Sequence, residues 1–239
     1  MKKYKVLGVI TARGGSKGIP GKNVKLLNGK PLLSYTLTAA LNSKYLDRVV
    51  VSSDSKKILD VAKKCGGESV ILKRPKNLAK DGTPSLPVVK HAVREVENKM
   101  GQKFDYIALI QPTTPFLNSK DIDNVVKILI KNKARTVVSV CEVNDHPTRI
   151  KKIVNGKLIQ YCKNLSETAV RRQDLPIAYK RNAGIYANTR KAVMDNNILY
   201  GFNGNCLPYI MPKERSVDIN TINDFYLAEI IAKQLNKKK

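Results

Sequence analysis

The sequence has no tryptophan, four phenylalanines and only two histidines. Cys65, Cys141, Cys162 and Cys206 lie far apart with no C-x-x-C pair, and two imidazoles are too few to complete a zinc centre with them. All four cysteines therefore read as reduced thiols, most of them in the core. Nor does any apolar run approach the roughly 18 residues that a membrane-spanning helix needs. The stretch after Met1 to Lys5 is short and ends at Arg13, without the longer apolar region of an export signal, so a cytoplasmic protein is expected.

Acid is scarce as well. Lys and Arg number 44 against 19 Asp and Glu, a formal net charge of +25, and no acid precedes Asp47. Such an excess is the first sign of a nucleic-acid-binding protein. Yet the cations are spread along the chain, and neither a basic patch interleaved with aromatics nor a known binding motif accompanies them. A basic nucleic-acid-binding protein is thus the lesser reading. The acid-free amino-terminal segment should instead attract small anionic substrates.

With 239 residues and 42% hydrophobic content, the chain is most simply one soluble domain over 1–239. Its most informative stretch is Thr11-Ala-Arg-Gly-Gly-Ser-Lys-Gly-Ile-Pro-Gly-Lys-Asn23, directly after the apolar run Val6 to Ile10. Gly14, Gly15, Gly18 and Gly21 free the backbone to bring N–H groups close to a ligand, and Arg13, Lys17 and Lys22 stand among them with no acid nearby in sequence. Bare amides and fixed cations at the end of a buried strand suit a polyphosphate.

Three familiar motifs do not account for this loop. Lys22 is followed by Asn23 rather than Ser or Thr, which excludes the Walker phosphate loop. Pro20 and Gly21 keep the segment a loop, whereas a dinucleotide fingerprint opens a helix directly. Gly14 to Gly18 does spell G-x-S-x-G, but a nucleophilic Ser16 would need a later His as base, and only His91 and His146 exist.

The rest of the chain alternates. Val6 to Ala12, Arg48 to Ser52, Ser69 to Leu72, Asp105 to Ile110 and Thr136 to Glu142 read as strands, with helices over Pro31 to Leu41, Asp54 to Cys65, Pro84 to Met100 and Ser119 to Lys131. This pattern predicts an α/β fold with a doubly wound, mostly parallel sheet. From 144 to 181 the alternation breaks into an excursion whose Ile153 to Ile159 segment is a β-hairpin signal with Asn155-Gly156 at the tip. Asn182 to Ala187 re-enters the sheet, Tyr209 to Met211 is a last strand, and Ile222 to Leu235 the closing helix.

Residues 12–23 resemble the signature of the acylneuraminate cytidylyltransferases, which join CMP to sialic acid and related nine-carbon 2-keto acids. Four further blocks follow in that family's order: Val51-Ser-Ser-Asp-Ser55, Gln111-Pro-Thr-Thr-Pro115, Asn182-Ala-Gly-Ile-Tyr186 and Ser216-Val-Asp-Ile-Asn-Thr221. The resemblance implies a nucleotidyltransferase with a Rossmann-like sheet, CTP and an acidic nine-carbon sugar as substrates, and a homodimer in which 144–181 packs against a second subunit and helps cover the sugar site. It implies Arg13 and Lys22 as catalytic cations on the phosphates. Ala12, Arg13, Gly14, Gly15, Lys17, Lys22, Asn23, Arg74 and Ser85 would bind nucleotide, with Arg74 on the cytosine edge. Gln111, Arg149, Arg172, Asn182 and Tyr186 would face the sugar. Asp218 would hold Mg²⁺, which favours oxygen ligands and few protein groups. Asn220 would be the second metal residue: there the chain departs from a common second Asp, and an amide oxygen can still coordinate or accept from a bound water, with one negative charge fewer. Other sugar nucleotidyltransferases, of the Kdo or sugar-phosphate type, share this loop; the Kdo enzymes tend toward Ser-Thr-Arg-Leu-Pro where this chain has Ser16-Lys-Gly-Ile-Pro20.

Overall fold

The computed structural model describes residues 4–16, 18–162, 171, 175–201 and 206–237. β1 (Val6–Thr11) leads into the glycine-rich loop, after which β2 (Leu26–Leu27) and β3 (Lys30–Pro31) form a small hairpin ahead of α1 (Leu32–Leu41). β4 (Arg48–Ser53), α2 (Lys56–Gly66), β5 (Ile71–Lys73) and α3 (Ser85–Met100) follow, then β6 (Tyr106–Ile110), α4 (Ser119–Lys131) and β7 (Thr136–Glu142). The excursion carries β8 (Lys151–Val154) and β9 (Lys157–Gln160). The chain ends with β10 (Tyr179–Thr189), the short α5 (Arg190–Met194), β11 (Cys206–Ile210) and α6 (Ile222–Lys237).

Seven strands form one sheet in the order β11-β7-β10-β6-β1-β4-β5. β1 pairs parallel with both β4 and β6, and β10 runs antiparallel to both β6 and β7. The order therefore reverses at β1, where loops leaving neighbouring strand ends diverge and open a crevice.

The central strands are buried almost without interruption, as a sheet covered on both faces demands, while successive side chains point to opposite layers. Leu7 and Val9 of β1, with Ile107 and Leu109 of β6, pack against Val89, Val93 and Val96 of α3. Ile10, Ala108 and Ile110 face the other way, onto Leu33 and Leu37 of α1 and Ile122, Val125 and Leu129 of α4. A third, smaller apolar cluster lies under the glycine-rich loop and joins Ile19, Leu27, Leu32, Phe116, Ile219 and Phe225. It fastens the loop after β1, the turn after β6 and the segment before α6 to one another.

The expected elements are found, with three differences. β10 is longer than Asn182 to Ala187 and antiparallel; strand polarity depends on tertiary pairing, which side-chain alternation does not report. Glu68–Val70 is a 3-10 turn entered through Gly67 at φ 74°, so β5 starts at Ile71 rather than Ser69. The last sheet strand is Cys206–Ile210, earlier than Tyr209 to Met211. Asn155 and Gly156 take φ 50° and 72° at the tip of the β8–β9 hairpin, as an Asn-Gly turn requires.

Candidate functional site

The loops after β1, β4, β5 and β6 converge at the carboxyl edge of the sheet. Arg13 leaves β1, Arg74 leaves β5, Gln111 leaves β6, and Ser85 opens α3, whose amino-terminal end carries partial positive charge. Together with Lys22, Asn23 and Asn220 they line a cleft of about 380 Å³. Seven predicted site residues thus come together in one place.

The loop owes its shape to specific contacts. Gly21 takes φ 64° and starts the 3-10 turn Lys22–Val24. Gly18 packs against the Asn220 backbone carbonyl so closely that a Cβ has no room there. The Asn23 side chain donates to the Arg13 carbonyl at 3.1 Å and holds the loop across its base. Two residues predicted to bind nucleotide have their N–H groups engaged: that of Ala12 donates to the Ser52 carbonyl at 3.1 Å, and that of Gly14 to Asp54 Oδ1 at 3.0 Å. Gly15 has nothing within 4 Å of where a Cβ would sit and is open to a ligand.

Arg74 is 5% exposed. Its Nε donates to Ser52 Oγ at 3.2 Å and its Nη2 to the Ser52 carbonyl at 2.6 Å, which aims the guanidinium and leaves Nη1 for a ligand. Burial pushes its pKa down, and the Asp54 carboxylate opposes that shift. Arg13 is paired with Asp81, a cleft residue that sequence reasoning missed although it marks the Lys80-Asp-Gly82 turn. The loop free of acid in sequence is therefore met by acid in space.

Lys22 Nζ donates to the Ile219 carbonyl at 2.7 Å. Burial holds its ammonium below the usual lysine range, Asp218 opposes that shift and Arg13 adds to it. One oxygen of Asp218, Oδ2, accepts from Asn220 Nδ2 at 2.9 Å; the other, Oδ1, is buried with no hydrogen-bond partner. An orphaned buried carboxylate oxygen beside a polar cleft calls for a ligand. Asp224 closes a capping box with Thr221 at the start of α6 and fixes where this segment ends.

A cytidylyltransferase family model matches residues 7–227. The chain belongs to the cytidylyltransferase family. It is 33% identical over 229 residues to a pseudaminic acid cytidylyltransferase of Campylobacter jejuni, covering 96% of this chain and 97% of that one. It is 36% identical over 226 residues to the CMP-N,N'-diacetyllegionaminic acid synthase of Legionella pneumophila, covering 94% and 95%. Among solved structures, a CMP:2-keto-3-deoxy-manno-octonic acid synthetase complexed with CTP superposes with a TM-score of 0.69 at 16% identity, covering 96% of this chain and 99% of that one, which establishes the shared fold.

Within this cytidylyltransferase, the remaining predicted residues lie elsewhere. Asn182 is 1% exposed inside the sheet edge, with its amide engaged by protein groups. Tyr186 is 5% exposed and packs edge-on against Tyr200, its centroid 4.9 Å away; burial raises its hydroxyl to about 12. Arg149 is exposed in a 3-10 turn of the excursion, Pro147–Arg149, and does not reach the cleft of its own chain. Lys17 and Arg172 lie outside the described residues.

A second cleft, of about 670 Å³, adjoins the first and shares Asn220 with it. Asp218, Ser216, Lys180 and Ile150 line it. Asn220 thus stands on the wall between the two spaces, and Asp218 lines the second. Among the described residues no helix is long and apolar enough to cross a membrane.

Proposed function

We propose that the protein transfers CMP from CTP to the anomeric hydroxyl of a nonulosonic acid. The sugar oxygen attacks the α-phosphorus, the bond to the β-phosphate oxygen breaks, pyrophosphate leaves and the hydroxyl proton passes to solvent. The observation that carries this reading is that the cleft lined by Arg13 and Lys22 adjoins, at Asn220, the cleft lined by Asp218, whose Oδ1 has no hydrogen-bond partner. Positioning and charge neutralisation supply most of the rate in phosphoryl transfer. Arg13 and Lys22 oppose the charge that develops on the phosphates, and Gly15 presents its backbone to them.

Arg74 reads the cytosine edge with the guanidinium group that Ser52 leaves free, since a fork of donors matches O2 and N3 together. Gln111 sits between nucleotide and sugar, and the acceptor occupies the second cleft. Full-length relatives named for pseudaminic and diacetyllegionaminic acids support a nine-carbon acceptor over the eight-carbon Kdo.

The orphaned oxygen of Asp218 fits its site to Mg²⁺. Among the described residues no three His, Cys, Asp or Glu side chains converge, so the ion would draw its other ligands from triphosphate oxygens and water, as Mg²⁺ commonly does. When bound, it would neutralise charge on the departing pyrophosphate. The Asn220 amide holds Asp218 Oδ2 and leaves Oδ1 for the ion.

The protein acts as a homodimer through the excursion. Ile153 and Leu158 are cross-strand partners on the β8–β9 hairpin and are 74% and 69% exposed, a pairing of apolar side chains that a second subunit would cover. The exposed Arg149 travels with that hairpin and would meet the acceptor's carboxylate across the dimer. The test is a pyrophosphate assay with CTP and each of pseudaminic, legionaminic and N-acetylneuraminic acids. Pyrophosphate release matched by a CMP-sugar with one of them supports the reading; release with none, or equally with UTP, contradicts it.

A further inference from the structure

Asn182 sits at an irregularity of β10, where register against β7 shifts between Arg181 and Tyr186 and Ala183 takes φ 57°. Its Oδ1 accepts from Ser139 Oγ at 2.6 Å and from the Gly184 N–H at 3.2 Å. The Gly184 N–H can only donate, which fixes the amide with its oxygen on that side. Its Nδ2 donates to Ser216 Oγ at 2.9 Å and lies 3.2 Å from Met211 Sδ. Every hydrogen-bonding position of this side chain is thus used inside the protein.

Its backbone ties a second segment. Thr114 Oγ1 donates to the Asn182 carbonyl at 2.7 Å, and the Gln111 N–H donates to the Gly184 carbonyl at 3.1 Å. Ser216, two residues before Asp218, in turn donates to the Pro212 carbonyl at 2.8 Å, and the Ile219 N–H donates to the Thr113 carbonyl at 2.9 Å. One buried amide therefore sets the spacing between the Gln111 turn and the Asp218 segment.

We infer that Asn182 is a positioning residue that acts through Ser216 to aim Asp218 at the divalent cation, rather than a group that touches the sugar. The bulge in β10 exists to turn this amide inward, away from both clefts. The inference rests on Asp218 as the cation ligand proposed above.

The test measures Mn²⁺ bound to the protein–CTP complex by electron paramagnetic resonance, without acceptor sugar and so without turnover. Asn182→Ala and Ser216→Ala should each weaken Mn²⁺ by about tenfold, the scale of lost support behind a metal ligand, and the double variant should lose no more than the worse single one. Asn188→Ala is the control: Asn188 is equally buried on the same strand, bonded to Thr136 and to the carbonyls of Tyr186 and Leu199, and far from Asp218 in the bond network. It should lower thermal stability yet leave Mn²⁺ affinity unchanged. If Asn182→Ala fails to fold, Ser216→Ala carries the test alone. Mn²⁺ affinity in Ser216→Ala and Asn182→Ala equal to that of Asn188→Ala overturns the inference, as does a raised KM for the sugar with Mn²⁺ binding intact. Asp218→Ala separates the two levels: retained Mn²⁺ there defeats the metal-site reading itself, whereas its loss, with Asn182→Ala and Ser216→Ala unaffected, defeats only the role of Asn182.

Discussion

Lys22 reaches across the cleft and places its ammonium on the carbonyl of Ile219, 2.7 Å away and between the two polar residues Asp218 and Asn220. This bond joins the glycine-rich loop to the proposed cation segment. Both ends are anchored from below, because Ile19 and Ile219 share one apolar cluster. Lys22→Ala should lower kcat/KM for CTP by roughly two to three orders of magnitude, the worth of one preorganised donor to developing charge. Steady-state kinetics check it, and near-normal turnover would remove Lys22 from the mechanism.

The state of Lys22 gives a pH signature. Its folded pKa lies below the usual 10.5 because burial disfavours the charged form. Between the folded and unfolded values the unfolded chain binds more protons, so the cost of burying this charge is present at neutral pH and relieved as pH rises through that window. Activity moves the other way. The alkaline limb of kcat/KM should fall below 10.5 in the wild type and disappear in Lys22→Arg, whose guanidinium stays protonated.

Gly18 and Gly15 differ sharply despite their shared loop. Gly18→Ala drives a methyl group into the Asn220 carbonyl and must displace one wall of the cleft, with an expected loss of about a hundredfold in kcat/KM, on the scale of an ångström-sized misplacement. Gly15→Ala meets nothing within 4 Å and should keep the fold's thermal stability. Equal effects from the two substitutions would contradict the close approach of the loop to Asn220.

Asp121 and Arg215 fix the far end of the same segment. Arg215 Nη2 donates to Asp121 Oδ1 at 2.9 Å, Tyr209 donates to the same oxygen, and Asp121 also closes the capping box of α4 with Asn118. Asp121→Ala removes the partner of a half-buried guanidinium and should destabilise the protein by about 3 kcal/mol, measured by urea unfolding. Asp121→Ala unfolding at the wild-type urea midpoint would show the pair to be idle.

The hairpin carries the dimer prediction. Ile153→Asp places a charge where the proposed subunit contact is most apolar and should convert a dimer to a monomer in sedimentation velocity, with secondary structure retained. A wild-type protein that sediments as a monomer at micromolar concentration would contradict the proposed assembly.

Residues 12–23 were legible in sequence because glycine conformational freedom and fixed cations are local properties, and the structure puts Arg13, Lys22 and Asn23 on one cleft. The strand–helix alternation was legible for the same reason. Asp81 was not, since its approach to Arg13 depends on β5 and β1 lying on the same side of the sheet, and strand order is not written in side-chain periodicity. Asn182 was expected beside the sugar and is instead interior, because an antiparallel β10 with a bulge turns it toward Ser139 and Ser216. Ala12 and Gly14 are expected to bind nucleotide, yet their N–H groups are engaged by the Ser52 carbonyl of β4 and by the Asp54 side chain just after it, contacts that local sequence does not report.

The most direct test of the account is a crystal structure of the protein with CTP. It should show the triphosphate along residues 13–22, with Lys22 Nζ and Arg13 within hydrogen-bonding distance of its oxygens and the α-phosphorus facing the cleft that contains Asp218. CTP bound elsewhere, with that loop turned to solvent, would contradict it.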